Sequence, residues 1–88
     1  MLCKSLSQCA VQILEECHED RYEAALLRVS IGENDWFAIL IDDGEECALE
    51  CVNLSLGMIQ ENFQRVAEGK LASCHLRDWI GDLYRKVL

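Results

Sequence analysis

The chain has 88 residues, 51% apolar and 27% charged, with no proline; this is a globular composition. It limits the chain to one domain (residues 1–88) with a small core, and it excludes disordered and polyproline-type recognition segments. Sixteen acids against eight Lys and Arg give a net charge of −8, which disfavours direct contact with nucleic acid phosphates and favours a basic partner.

Leu2, Leu6, Cys9, Ala10, Ile13, Leu14 and Cys17 recur at spacings of three and four. That spacing predicts an amphipathic first helix over about residues 3–18. Glu15, Glu16, Glu19 and Asp20 then fall at its C-terminal end, where the helix dipole favours cations. As a helix, the segment has no stabilising reason for that placement.

From Tyr22 the apolar period changes to two, and three strands are predicted over 22–31, 36–41 and 46–52. Asp43 and Gly44 lie between two apolar runs, a strong hairpin signal because the tight turn needs positive φ. With Glu33-Asn34 and Asp43-Gly44 as two-residue loops, Val29 would pair with Ala38, and Leu40 with Cys47. Both hairpins then place Leu27, Val29, Ile31, Trp36, Ala38, Leu40, Cys47, Leu49 and Cys51 on one face, which is the predicted core. The opposite face carries Phe37, Ile39 and Ile41 in its middle strand, flanked by Arg28, Glu46 and Glu50. Residues 37–41 are a continuous apolar run, the pattern of a strand buried on both sides.

After Val52 the period returns to 3.6. Leu56, Ile59, Phe63, Val66 and Ala67 predict a helix over about 55–68, with Ser55 as N-cap and Gly69 as the residue after its end. Leu76, Trp79, Ile80, Leu83, Tyr84 and Val87 predict another over about 72–87, with Arg85 and Lys86 where the dipole favours them. The expected architecture is α+β: a three-stranded antiparallel meander in α-β-β-β-α-α order, with helices packed on the sheet. The order α-β-β-β-α is similar to that of double-stranded-RNA-binding domains, but those present Lys and Arg to phosphates and this sheet presents none.

The charge is concentrated in the sheet. Residues 31–52 hold seven acids and no base, against net charges of −2 for residues 1–30 and +1 for 53–88. Acids on turns keep a protein soluble and block edge pairing; clustered at this density, they also suit electrostatic steering.

Catalytic and metal signals are weak. His18 and His75 each follow a cysteine, but adjacent helical residues point about 100° apart, which denies a Cys–His pair within either dipeptide. There is no phosphate-binding loop, nucleophile elbow or metalloprotease motif, and no Cys spacing suited to zinc. No catalytic residue, metal site or cofactor is expected, and the protein is not expected to be an enzyme. The N-terminus lacks a secretory apolar core, no apolar run approaches the ~20 residues that span a bilayer, and the C-terminus lacks a prenylation cysteine. A cytoplasmic location follows, with Cys3, Cys9, Cys17, Cys47, Cys51 and Cys74 reduced and mostly in the core. Cys47 and Cys51 share one strand face roughly 13 Å apart at about 3.3 Å per residue, too far for a bridge.

These features point to a small acidic inhibitor, of the anti-CRISPR or toxin-immunity type, that occludes a basic surface of a partner protein. The expected contacts are Glu33, Asp35, Asp42, Asp43, Glu45, Glu46 and Glu50 for steering, with Phe37, Ile39 and Ile41 as apolar anchors. The alternative is a small acidic dimeric chaperone or adaptor, for example of a bacterial secretion system. Another protein is the expected partner in both, possible homodimers included, with no membrane and no direct nucleic acid.

Overall fold

Period two begins well before Tyr22. In the computed structural model, which describes residues 9–87, strand β1 spans Cys9–Glu19, followed by β2 (Tyr22–Ile31), β3 (Asn34–Asp42) and β4 (Cys47–Val52). Helix α1 (Leu56–Gly69), a 3₁₀ turn (Ser73–His75) and helix α2 (Leu76–Val87) follow. The four strands form one antiparallel sheet in the order β1-β2-β3-β4. The three-stranded α-β-β-β-α-α expectation is therefore corrected to β-β-β-β-α-α among the described residues. Residues 3–8 of the expected first helix lie outside them.

A bulge explains why this strand reads as a helix. The β1–β2 register shifts between Ile13 and Glu15, so Leu14 is an extra residue. Before the bulge Val11 and Ile13 stand opposite Val29 and Leu27; after it Glu16 and His18 stand opposite Ala25 and Glu23. An inserted residue reverses the alternation. It sets two apolar residues side by side, and the resulting spacing of 10, 13, 14 and 17 imitates a helical stripe. The misplaced acids at its end also lose their anomaly, because a strand has only a small net dipole. Glu16 instead contacts His18, and Glu19 contacts Lys70.

The remaining hairpins keep the predicted faces in a different register. Val29 stands opposite Trp36, and Leu40 opposite Leu49. Gly32 and Glu33 form the two-residue β2–β3 loop, and four residues (43–46) join β3 to β4. Each strand pair has slid by two residues, the side-chain period, so every residue stays on its predicted face. Gly44 takes φ +89°, and a Cβ there would come within 3.0 Å of the Arg21 Cβ. The β1–β2 and β3–β4 turns thus pack together at one end of the sheet, and glycine is required both for φ and for space.

The choice of buried face is the opposite of the prediction. α1 lies over β2 and α2 over β4, and both pack on the face carrying Ala24, Leu26, Ile39, Ile41 and Val52. Leu26, Ile39 and Ile41 are fully buried there, against Ile59, Phe63 and Val66 of α1 and Leu76 and Ile80 of α2. Ala24 and Ala48 leave room for the helices beside the bulky middle strand, so this face accepts a second layer closely. The molecule is 19 Å in its shortest dimension, the thickness of one sheet and one helix layer. Nothing among the described residues covers the other face.

Specific polar contacts hold the helices down. The Tyr22 hydroxyl donates to the Leu71 carbonyl at 2.9 Å, tying the end of α1 to the start of β2. The Asn53 N–H donates to the Tyr84 hydroxyl at 2.7 Å, tying the end of β4 to α2. α1 closes with Lys70, not Gly69, in the left-handed region (φ 49°). The Lys70 N–H reaches the Ala67 carbonyl and the Leu71 N–H the Val66 carbonyl, the paired bonds of a Schellman motif. Lys70 Nζ lies 2.9 Å from Glu19 Oε2, which anchors this less favourable residue to the end of β1.

Candidate interaction site

The uncovered sheet face is built by the alternation of all four strands. It carries Val11 and Ile13 from β1, Leu27, Val29 and Ile31 from β2, Trp36, Ala38 and Leu40 from β3, and Leu49 and Cys51 from β4. Val11 (60%), Ile13 (56%), Leu49 (57%), Ile31 (50%) and Trp36 (47%) are among the most exposed large apolar residues of the molecule. A scattered exposed apolar side chain needs no explanation, but a contiguous face of them marks an interaction surface. Ile31, Trp36 and Leu49 were predicted as core, while Val11 and Ile13 fell within the expected first helix. Their spacing was legible; their exposure was not, because spacing within a strand does not say which face the helices cover.

One end of this face is charged. His18 lies between Glu16 (Nε2 to Oε2, 3.3 Å) and Glu23 (Nδ1 to Oε1, 3.1 Å). Its hydrogen bonds to Glu16 and then Glu23 raise its pKa above the ordinary histidine value. The same end carries Glu19 at the end of β1, Asp20 in the β1–β2 turn, Asp42 at the end of β3, and Glu45 and Glu46 in the β3–β4 loop. Between His18 and the apolar centre, Ile13, Ala25, Leu27 and Leu40 line a shallow depression of about 250 Å³.

The sequence-predicted contacts divide into three groups. Ile39 and Ile41 are core beneath the helices, and Phe37 packs against that core; no partner reaches the two isoleucines without removing a helix. The Arg28 guanidinium sits 5.8 Å from the centre of the Phe37 ring, covering its outer side. Asp43 is structural: its carboxylate accepts the backbone N–H groups of Glu45 (3.0 Å), Glu46 (2.9 Å) and, across the fold, Ser73 (2.9 Å). These bonds, those of Glu46 and Ser73 foremost, hold its carboxyl well below the usual carboxylate range.

The other acids are not gathered in one patch. Glu33 and Asp35 lie at the β2–β3 end of the sheet, where Asp35 accepts from the Ser30 hydroxyl at 2.6 Å. Asp42, Glu45 and Glu46 lie at the opposite end, some eight residues along β3, roughly 26 Å at strand rise. Asp42 also accepts the Gly44 N–H at 3.0 Å. Glu50 stands opposite Ile39 and is half-buried at the edge of the covered face. A run of acids in sequence is thus split between two ends by the meander. Glu16, Glu19, Asp20 and Glu23, not among the predicted contacts, join the β3–β4 end instead.

Several cysteines also differ from expectation. Cys47, Cys51 and Cys74 are exposed and Cys17 is half-buried, all four as free thiols; Cys3 lies outside the described residues. Among the described residues no group of three or more His, Cys, Asp or Glu is placed to hold a metal ion, and no helix is long and apolar enough to cross a membrane. Comparison with known proteins returns no matching family model, no similar curated sequence and no similar solved structure.

Proposed function

We propose that this chain is a small acidic protein-binding domain, acting by occlusion and not by catalysis, with the helix-free sheet face as its docking surface. The observation that carries this reading is the uncovered apolar face centred on Val11, Ile13, Trp36 and Leu49. An apolar centre supplies affinity, and charges at the rim set orientation and association rate. The acidic end, with Glu16, Glu23, Glu45 and Glu46, selects a partner whose apolar patch is bordered by Lys or Arg. An inhibitor of a basic, nucleic-acid-binding protein has this chemistry, as anti-CRISPR and toxin-immunity proteins do. Three exposed thiols suit a reducing compartment, which supports a cytoplasmic location.

A test compares the parent chain with the Trp36→Ala/Leu49→Ala variant as baits, with bound protein eluted in a salt gradient. The expected result is a basic partner that the parent retains, that salt releases, and that the variant binds at least about 2 kcal/mol more weakly, roughly thirtyfold. Equal retention by the two baits would overturn the docking face.

One observation favours the dimeric adaptor instead. β1 is an edge strand of 11 residues whose residues 10–13 are exposed; such an edge can accept another strand. In that case light scattering shows a dimer insensitive to salt. Against a face-to-face pair, two chains of charge −8 would bring like charges together.

A further inference from the structure

The helix layer holds a second site of opposite charge. Asn62 and Arg65 on α1 face Trp79, Asp82, Leu83 and Lys86 on α2 across a cleft of about 350 Å³, which Arg85 also lines. Residues 62 and 65 are three apart on α1, and 79, 82, 83 and 86 follow the same stripe spacing on α2. Helical geometry therefore aims both rows at one groove. The volume lies within the range of small-molecule sites.

The charge of this cleft runs against that of the chain. Acids outnumber Lys and Arg two to one, yet three of the eight bases converge here with one acid. Asp82 pairs only with Arg85, at 3.6 Å, in a highly exposed contact. Among the described residues neither Arg65 nor Lys86 has a carboxylate within ion-pairing distance. The helix dipole accounts for Arg85 and Lys86 in the last turn of α2, but not for Arg65 in the middle of α1; Trp79 between them packs against the core and stays half-buried, so part of it lines the cleft. Guanidinium groups bind phosphate oxygens in a bidentate fork, and an indole offers a face to a planar ring.

We propose that the α1–α2 cleft binds a nucleoside polyphosphate, with Arg65, Arg85 and Lys86 on the phosphates and Trp79 against the base. The site is independent of the sheet face, from which the whole sheet separates it.

The two tryptophans, Trp36 and Trp79, lie one in each site, which gives a clean test. In the full chain carrying Trp36→Phe, fluorescence reports on Trp79 alone. ATP, inorganic tripolyphosphate and a polyglutamate peptide are titrated at physiological salt, with calorimetry as the second readout. The expected result is saturable binding of ATP, about tenfold tighter than tripolyphosphate through contact of the base with Trp79. Arg65→Gln and Lys86→Gln should each weaken ATP about tenfold, the effect of losing one charged hydrogen bond. Absence of saturation, or ATP affinity unchanged in both variants, overturns the site. Equal affinity for ATP and tripolyphosphate, or tighter binding of the peptide, overturns the assignment to nucleotides.

Discussion

The two faces of the sheet are both apolar, yet one is sealed and the other is bare. The covered face has its largest side chains in the central strands and alanines beside them, so two helices can lie close against Leu26, Ile39 and Ile41. The open face carries large side chains on all four strands, with Val11 and Ile13 on β1, Ile31 on β2, Trp36 on β3 and Leu49 on β4. Two helices are enough to cover one face of a four-stranded sheet. The comparison teaches that hydrophobicity alone does not define a core. A core also needs a layer to close it, and the supply of layers depends on what every other segment of the chain becomes.

The sharpest way to break this contrast is a pair of truncations. Ile39→Ala, beneath the helices, should cost about 2–5 kcal/mol in urea unfolding. Leu49→Ala, on the bare face, should cost within about 0.5 kcal/mol, as exposed substitutions do. Equal losses would mean that the open face is buried in solution, by self-association.

Asp43 tests how the helix layer is fastened to the sheet. Its carboxyl pKa is depressed in the folded protein, so its contribution is present above the unfolded value of about 3.9 and is lost as pH falls below it. Asp43→Asn should therefore lower the melting temperature at neutral pH, and the gap to the parent should narrow on acidification. A gap independent of pH would remove the charge from the explanation. Tyr22→Phe deletes the hydroxyl that reaches Leu71 while keeping the ring in the core. The expected loss is about 1 kcal/mol by chemical denaturation.

The smallest effect belongs to the open face. The pKa of His18 is raised by its two glutamates, so its contribution is present below the ordinary value of about 6.5 and is lost as pH rises through the folded value. The parent should lose a small increment of stability between pH 6 and 8, as ranges bracketing that value, and His18→Gln should lose none. An identical pH profile in the two proteins would show that the exposed contacts with Glu16 and Glu23 are too well solvated to matter.

Much of the architecture was legible locally. The strands from Tyr22 to Val52, both C-terminal helices and the face membership of each strand residue all follow from spacing. They survived a two-residue error in each hairpin because parity, not exact register, assigns a side chain to a face. β1 was illegible because the bulge at Leu14 converts a period of two into an imitation of 3.6. Of the residues that bear on the candidate site, the apolar faces were legible but their burial was read the wrong way round. Phe37, Ile39 and Ile41 read as anchors and lie in or against the core, while Val11, Ile13, Trp36 and Leu49 read otherwise and lie exposed.

By itself, then, the sequence determined the periods, the turns, the two apolar faces and the surplus of acid, since each is set by neighbours a few residues apart. Tertiary structure alone decided that the first segment joins the sheet, which face the helices close, and that acids adjacent in the chain part to opposite ends. Those outcomes depend on which surfaces compete for two helices and on where the meander carries each turn. No window of local sequence contains that competition.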